Sequence, residues 1–184
     1  MELQQKIDRI TDILRRDDGI SGAMHYTEQI SWILFLKFLH DFEEEKEGEA
    51  ELNNTKYKRV ITNDHQWEKW ACPKDSKGKT DIKNALTGDD LTLFVNDKLF
   101  PYLKSFKGNI QEMKSVKYKI GNIFEFLDNK IASGHTLSEV LNIIDSLNFQ
   151  SQEELCELSH VYENLLHGMG SDGGNSGEFY TPRA

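Results

Sequence analysis

The sequence predicts an all-α fold, a compact multi-helix domain of roughly six to eight helices with a long irregular excursion and a flexible Gly-rich C-terminal tail. Three observations predict it. Apolar residues recur three and four apart in several windows, which is the period of one helix face. Two of those windows are preceded by a Ser or Thr with Glu three residues later, the reciprocal capping box. No segment alternates apolar and polar residues with β-branched enrichment, and no two-residue hairpin signal separates such runs.

Leu3, Ile7, Ile10 and Leu14 share one face of a first helix, stopped by Asp17-Asp18-Gly19. A second helix is expected to start near Thr27 and run through Glu45. Its middle, Trp32 to Leu39, is apolar nearly all round, the mark of a helix buried centrally. Its acidic end, Glu43, Glu44 and Glu45, is expected in solvent, because consecutive carboxylates on a helix point apart and make no catalytic pair.

Residues 48–80 form the excursion, broken by Asn53-Asn54, Pro73 and Gly78, with a short helix around Trp67 and Trp70 at i, i+3. Thr87, Gly88, Asp89 and Asp90 resemble a capping box for a helix bearing Leu91, Phe94, Val95 and Leu99, and Pro101 ends that helix or begins the next. Ile120, Ile123, Phe124, Leu127 and Ile131 suggest a further helix closed by Gly134. Thr136 with Glu139 opens one carrying Leu137, Val140, Leu141, Ile144 and Leu147. Ser151 with Glu154 opens another carrying Leu155, Leu158, Tyr162, Leu165 and Leu166. Residues 168–177 read as a Gly-rich linker, after a helical domain of residues 1–167 and before a short segment of residues 178–184.

The 184 residues are 38% hydrophobic and 29% charged, ordinary for a globular chain. The first residues lack a basic stretch followed by an apolar run, and no apolar stretch is long enough to span a bilayer. The two cysteines, Cys72 and Cys156, make no disulfide framework, so a cytoplasmic location without membrane attachment is expected. The net charge of −9 argues against coating nucleic acid unaided. The charge is segregated: residues 41–51 hold seven acids and one Lys, while residues 98–119 hold six Lys and one acid. Two solvated surfaces, or a local basic face, both fit that pattern.

Candidate chemistry is sparse. Residues 168–173 spell G-x-G-x-x-G, but a helix precedes them and more glycines follow, so the strand–loop–helix needed for a dinucleotide is missing. Cys156 and His160 stand at i, i+4 with His167 beyond, too few ligands for a closed zinc shell, and no metal site is expected. His25, His40, His65 and His135 cluster with nothing identifiable. No catalytic residues are expected. Tyr57, Trp67 and Trp70 lie among Lys56, Lys58, Arg59 and Lys69, which suits either nucleic-acid contact or an ordinary loop packed on a helix.

Four segments, in order along the chain, resemble the modification (methyltransferase) subunits of type I restriction–modification systems. They are ILFLKFLHD at residues 33–41, LSEVLNIIDSLNF at residues 137–149, HVYENLL at residues 160–166 and, most specific, GEFYTPR at residues 177–183. The resemblance implies the N-terminal helical region of such a subunit, one that grips DNA and helps assemble the complex. The whole subunit would be an S-adenosylmethionine-dependent DNA adenine methyltransferase. Its partners would be a specificity subunit, a second modification subunit, a restriction subunit and double-stranded DNA. GEFYTPR resembles the family's motif X, which makes Glu178, Phe179, Tyr180, Thr181, Pro182 and Arg183 the cofactor-binding candidates and residues 178–184 the truncated start of the catalytic domain. The family's Asn-Pro-Pro-aromatic motif is not in this sequence, so the fragment alone is expected to be inactive. Lys104, Lys107, Lys114, Lys117 and Lys119 are the candidates for a phosphate-facing surface. The alternative is a self-contained helical adaptor for protein or DNA with no enzymatic domain.

Overall fold

A computed structural model describes residues 3–75, 78–81, 83–108, 115–147 and 149. Among them the regular structure is helical, and the only β pairing is a single bridge between Lys74 and Thr80. The expected helix beginning at Ser151 lies outside the described residues.

The first helix, α1 (Leu3–Leu14), buries Ile7, Ile10 and Leu14 as its spacing predicts. The turn after it is held by Asp17. That buried carboxylate accepts N–H groups from Gly19 at 3.0 Å, Ala132 at 2.8 Å and Ser133 at 3.0 Å. These donors satisfy the carboxylate and tie the end of α1 to the segment entering the last helix.

The central element is α2 (Ala23–Leu52), 30 residues and about 45 Å long. It begins before the expected Thr27, where Gly22 at φ +88° turns the chain into it, and continues past Glu45. Trp32, Ile33, Leu34 and Leu36 are buried, as a helix apolar on all sides requires. The Trp32 ring meets Phe100 edge-on at 5.2 Å, and Phe100 meets Phe124 at 5.6 Å. At the acidic end Glu44 and Glu45 are exposed as expected, but Glu43 is only 2% exposed and faces the excursion rather than water.

The excursion carries a 3-10 turn (Asn63–His65) and α3 (Trp67–Trp70), the short helix expected around the two tryptophans. Next come α4 (Gly88–Phe94), a π turn (Val95–Leu99) and α5 (Phe100–Ser105), continuous along the chain and followed by a 3-10 turn (Phe106–Gly108). Phe100 N–H reaches back five residues to the Val95 carbonyl. Pro101 has no N–H to give, and its ring crowds the carbonyl four residues back. The wide turn just before it relieves that crowding, so the proline begins α5 instead of breaking the rod.

Two expected capping boxes do not form. Thr87 makes no side-chain cap bond to α4. Gly88 takes φ +54°, and its carbonyl lies against Gly134, where a Cβ would come within 1.9 Å of the Gly88 oxygen. The last helix, α7 (Gly134–Asp145), is capped by Ser133, whose Oγ accepts from Thr136 N–H at 3.3 Å. Thr136 therefore sits inside the helix, and Gly134 opens it instead of closing the one before. Leu137, Val140, Leu141 and Ile144 are buried.

The preceding helix, α6 (Val116–Phe124), is capped by Ser115 and ends well short of Ile131. Gln29 explains the early end. Buried on α2, it donates to the Asp128 carbonyl at 3.2 Å and accepts from Lys130 N–H at 3.0 Å, partners that a non-helical backbone needs when it leaves water. Ile131 is buried from this extended segment. In the assembled domain α7 packs on α1, α2 and α4, while α5 packs on α6.

Candidate functional site

The Lys-rich stretch folds into adjoining pieces. Lys98 lies on the π turn, Lys104 on α5, Lys107 on the following 3-10 turn, and Lys117 and Lys119 on α6. Lys114 lies outside the described residues. The pieces touch backbone to backbone, since a Cβ at Gly121 would stand 2.5 Å from the Lys107 nitrogen. Only a glycine allows α6 so close, and this contact sets the Lys residues of the two pieces on neighbouring backbone.

The lysines are not equivalent. Lys104 Nζ lies 2.7 Å from Asp128, and Lys107 Nζ lies 2.5 Å from Glu125. Lys117 Nζ sits over the Phe106 ring at 5.2 Å, leaving its charge outside any ion pair among the described residues. Lys119 is exposed and likewise makes no ion pair among them. Half-exposed pairs such as those of Lys104 and Lys107 are weak and exchangeable. Val116, Ile123 and Phe126 are exposed alongside, so the α6 surface mixes cation and apolar groups.

The aromatic and basic residues of the excursion are arranged differently. Trp67 and Trp70 are buried and meet at 5.6 Å. The Trp67 indole N–H donates to Asp145 at 2.8 Å, and that of Trp70 donates to the His65 carbonyl at 3.2 Å. Neither ring is free to stack on a base. Lys56, Lys58 and Lys69 are exposed, whereas Arg59 is drawn in to pair with Glu47 at 2.6 Å and Glu68 at 3.2 Å.

These pairs join the acidic end of α2 to the excursion. Glu43 accepts the Val60 N–H. Burial raises the Glu43 pKa, against the pull of the Val60 hydrogen bond and Arg59. Burial also pushes Glu68 upward, but the His40 imidazole and Arg59 outweigh it and hold Glu68 at about 2. Cys72 is pushed up to about 12 by burial and by Asp145, so its thiol is no nucleophile.

His40 lies between Glu44, 3.6 Å from Nε2, and Glu68, 3.2 Å from Nδ1. No cluster around His40 was expected from the sequence. The His40–Glu44 spacing of one helical turn was the available signal, and the approach of Glu68 was not. The cofactor candidates Glu178, Phe179, Tyr180, Thr181, Pro182 and Arg183 lie outside the described residues, as do Cys156, His160 and His167.

The architecture is an all-α scaffold: one long buried helix with shorter helices packed around it. Its sequence places it more narrowly. The chain belongs to the HsdM N-terminal domain family, which it matches over residues 3–144. It is 35% identical to the type I restriction enzyme EcoEI methylase subunit of Escherichia coli, over all of this chain and 34% of that protein. Its fold matches the crystal structure of a modification subunit of a putative type I restriction enzyme from Vibrio vulnificus YJ016, with a TM-score of 0.78 and 32% identity over 99% of this chain and 39% of that one. A structure titled for complex assembly and conformational transition of the type I R-M system matches with a TM-score of 0.75 and 36% identity, over 98% of this chain and 33% of that one. The chain thus spans about a third of the length of these relatives.

Proposed function

We propose that this chain is the DNA-contacting and assembly region of a type I modification subunit. The whole subunit transfers a methyl group from S-adenosylmethionine to adenine in duplex DNA. It works in the cytoplasm with a specificity subunit, a second modification subunit and a restriction subunit. The observation that carries the reading is the kinship, over nearly the full chain, with a methylase subunit and with modification subunits. Glu178, Phe179, Tyr180, Thr181, Pro182 and Arg183 line one wall of the cofactor pocket, where hydroxyl and backbone groups bond the polar end of S-adenosylmethionine and aromatics cover its apolar surface. Residues 1–167 form the helical domain, and residues 168–177 link it to the catalytic part.

The cations of α5, of the 3-10 turn after it and of α6 meet phosphate in this reading, with Lys117 and Lys119 leading and Lys104 and Lys107 joining as their surface pairs exchange. The test is methyl transfer from labelled S-adenosylmethionine by the natural subunit assembled with its specificity subunit. N6-methyladenine in the duplex is expected. An assembled complex that methylates cytosine, or nothing, would overturn the reading. The 184-residue chain alone is expected to give no binding heat with S-adenosylmethionine.

A further inference from the structure

The buried middle of α2 carries a set of donors that the proposed function leaves unused. His40, Asp41 and Glu44 each bring one ligand atom to within 4.8 Å of the others. His40 Nε2 is 3.6 Å from a Glu44 oxygen. Two donors on one tetrahedral zinc ion stand about 3.3 Å apart, so this pair needs only a small inward movement.

Asp41 supplies a second, independent sign. It is 7% exposed, and one of its oxygens holds the Lys37 ammonium. Its other oxygen is buried and has no hydrogen-bond partner among the described residues. A carboxylate oxygen taken out of water with nothing to accept is costly, and a bound cation removes that cost.

The surroundings fit a metal-binding histidine. A Glu68 oxygen lies 3.2 Å from His40 Nδ1, on the side of the ring where a carboxylate commonly orients a metal-bound imidazole. The Glu44 side chain is 53% exposed, which leaves one side open to water and to an arriving ion. Lys37 is matched by Asp41, while Arg59 divides its charge between Glu47 and Glu68. Among these described groups the balance around His40 stays negative.

We propose that His40, Asp41 and Glu44 bind one divalent transition-metal ion of the zinc type, with Glu68 as the orienting outer carboxylate and water filling the open position. One nitrogen and two carboxylate oxygens suit zinc and its neighbours better than calcium or magnesium, which take all-oxygen shells. Bound there, the ion clamps α2 to α3 through the His40–Glu68 contact.

The test is zinc titration by calorimetry into the chelator-treated 184-residue chain, alongside His40→Gln, Glu44→Gln and Glu68→Gln. One zinc per chain is expected. Affinity should fall beyond detection in His40→Gln and Glu44→Gln, and by about 10- to 100-fold in Glu68→Gln. Glu44 is exposed, so its variant should match the zinc-free wild type in thermal midpoint. Zinc should raise that midpoint in wild type and leave it unmoved in Glu44→Gln. The absence of saturable heat, or one-zinc binding retained in both His40→Gln and Glu44→Gln, would overturn the proposal. The result is independent of DNA binding and methyl transfer.

Discussion

The excursion, read from the sequence as residues 48–80, and the stretch of residues 98–119 look alike as sequence and behave differently as structure. Both interleave lysine with aromatic residues. In the excursion the tryptophans turn inward, their indole N–H groups find acceptors, and Arg59 is drawn into pairs with two glutamates. In the second stretch Phe100 enters the core while Lys117 and Lys119 stay outside any ion pair among the described residues. Interleaving alone therefore does not separate a loop packed on a helix from a basic surface. What separates them is how far the basic groups are drawn in. Arg59 is largely buried between Glu47 of α2 and Glu68 of α3, whereas Lys104 and Lys107 keep half-exposed pairs with Asp128 and Glu125, and Lys117 and Lys119 make no ion pair among the described residues.

That contrast can be broken most severely at Trp70. It is 1% exposed and stacks near Phe94. Trp70→Ala should cost about 3–5 kcal/mol in urea denaturation. A loss under 1 kcal/mol would mean that the excursion is not core.

Glu43 comes next. Glu43→Ala leaves the Val60 N–H without its acceptor and should cost about 1–3 kcal/mol. Glu43→Gln keeps an acceptor and relieves the buried charge, so it should change stability far less. Equal losses in the two variants would contradict the hydrogen-bond assignment.

Acid titration separates the two glutamates further. The Glu68 pKa is lowered to about 2, so its contribution is present above its ordinary value of 4.5 and fades as pH falls toward 2. The Glu43 pKa is raised, so its contribution is fullest below 4.5 and is lost as pH rises through its folded value. Glu68→Gln should flatten the acid side of the stability–pH curve, and Glu43→Gln should flatten the opposite slope. The smallest effect on stability belongs to Lys117→Glu with Lys119→Glu, within about 0.5 kcal/mol for each surface substitution.

Much of this was legible in the sequence. The faces of α1 and α7, the central burial of α2 and the short helix at the tryptophans follow from spacing alone, because each is set by residues within a few positions of one another. What spacing could not show depends on partners far along the chain. Ser133 rather than Thr136 caps α7, with Gly134 opening the helix against the Gly88 carbonyl. α6 ends early because Gln29 takes over the hydrogen bonds of the segment at residues 128–130. Glu43 leaves solvent because Val60 and Arg59 reach it. Of the candidate phosphate surface, the sequence located the lysines but not the pairing of Lys104 with Asp128 or of Lys107 with Glu125, which only the packing of neighbouring segments brings about.

The most direct test of the basic surface is fluorescence anisotropy of a labelled duplex with the 184-residue chain between about 50 and 200 mM salt, comparing wild type with Lys117→Glu plus Lys119→Glu. The expected result is salt-sensitive binding by the wild type. The double variant should bind more weakly, with its log-affinity against log-salt slope reduced by about two. Unchanged affinity and slope in the double variant, or no binding by the wild-type chain at low salt, would contradict a DNA-facing role for α6.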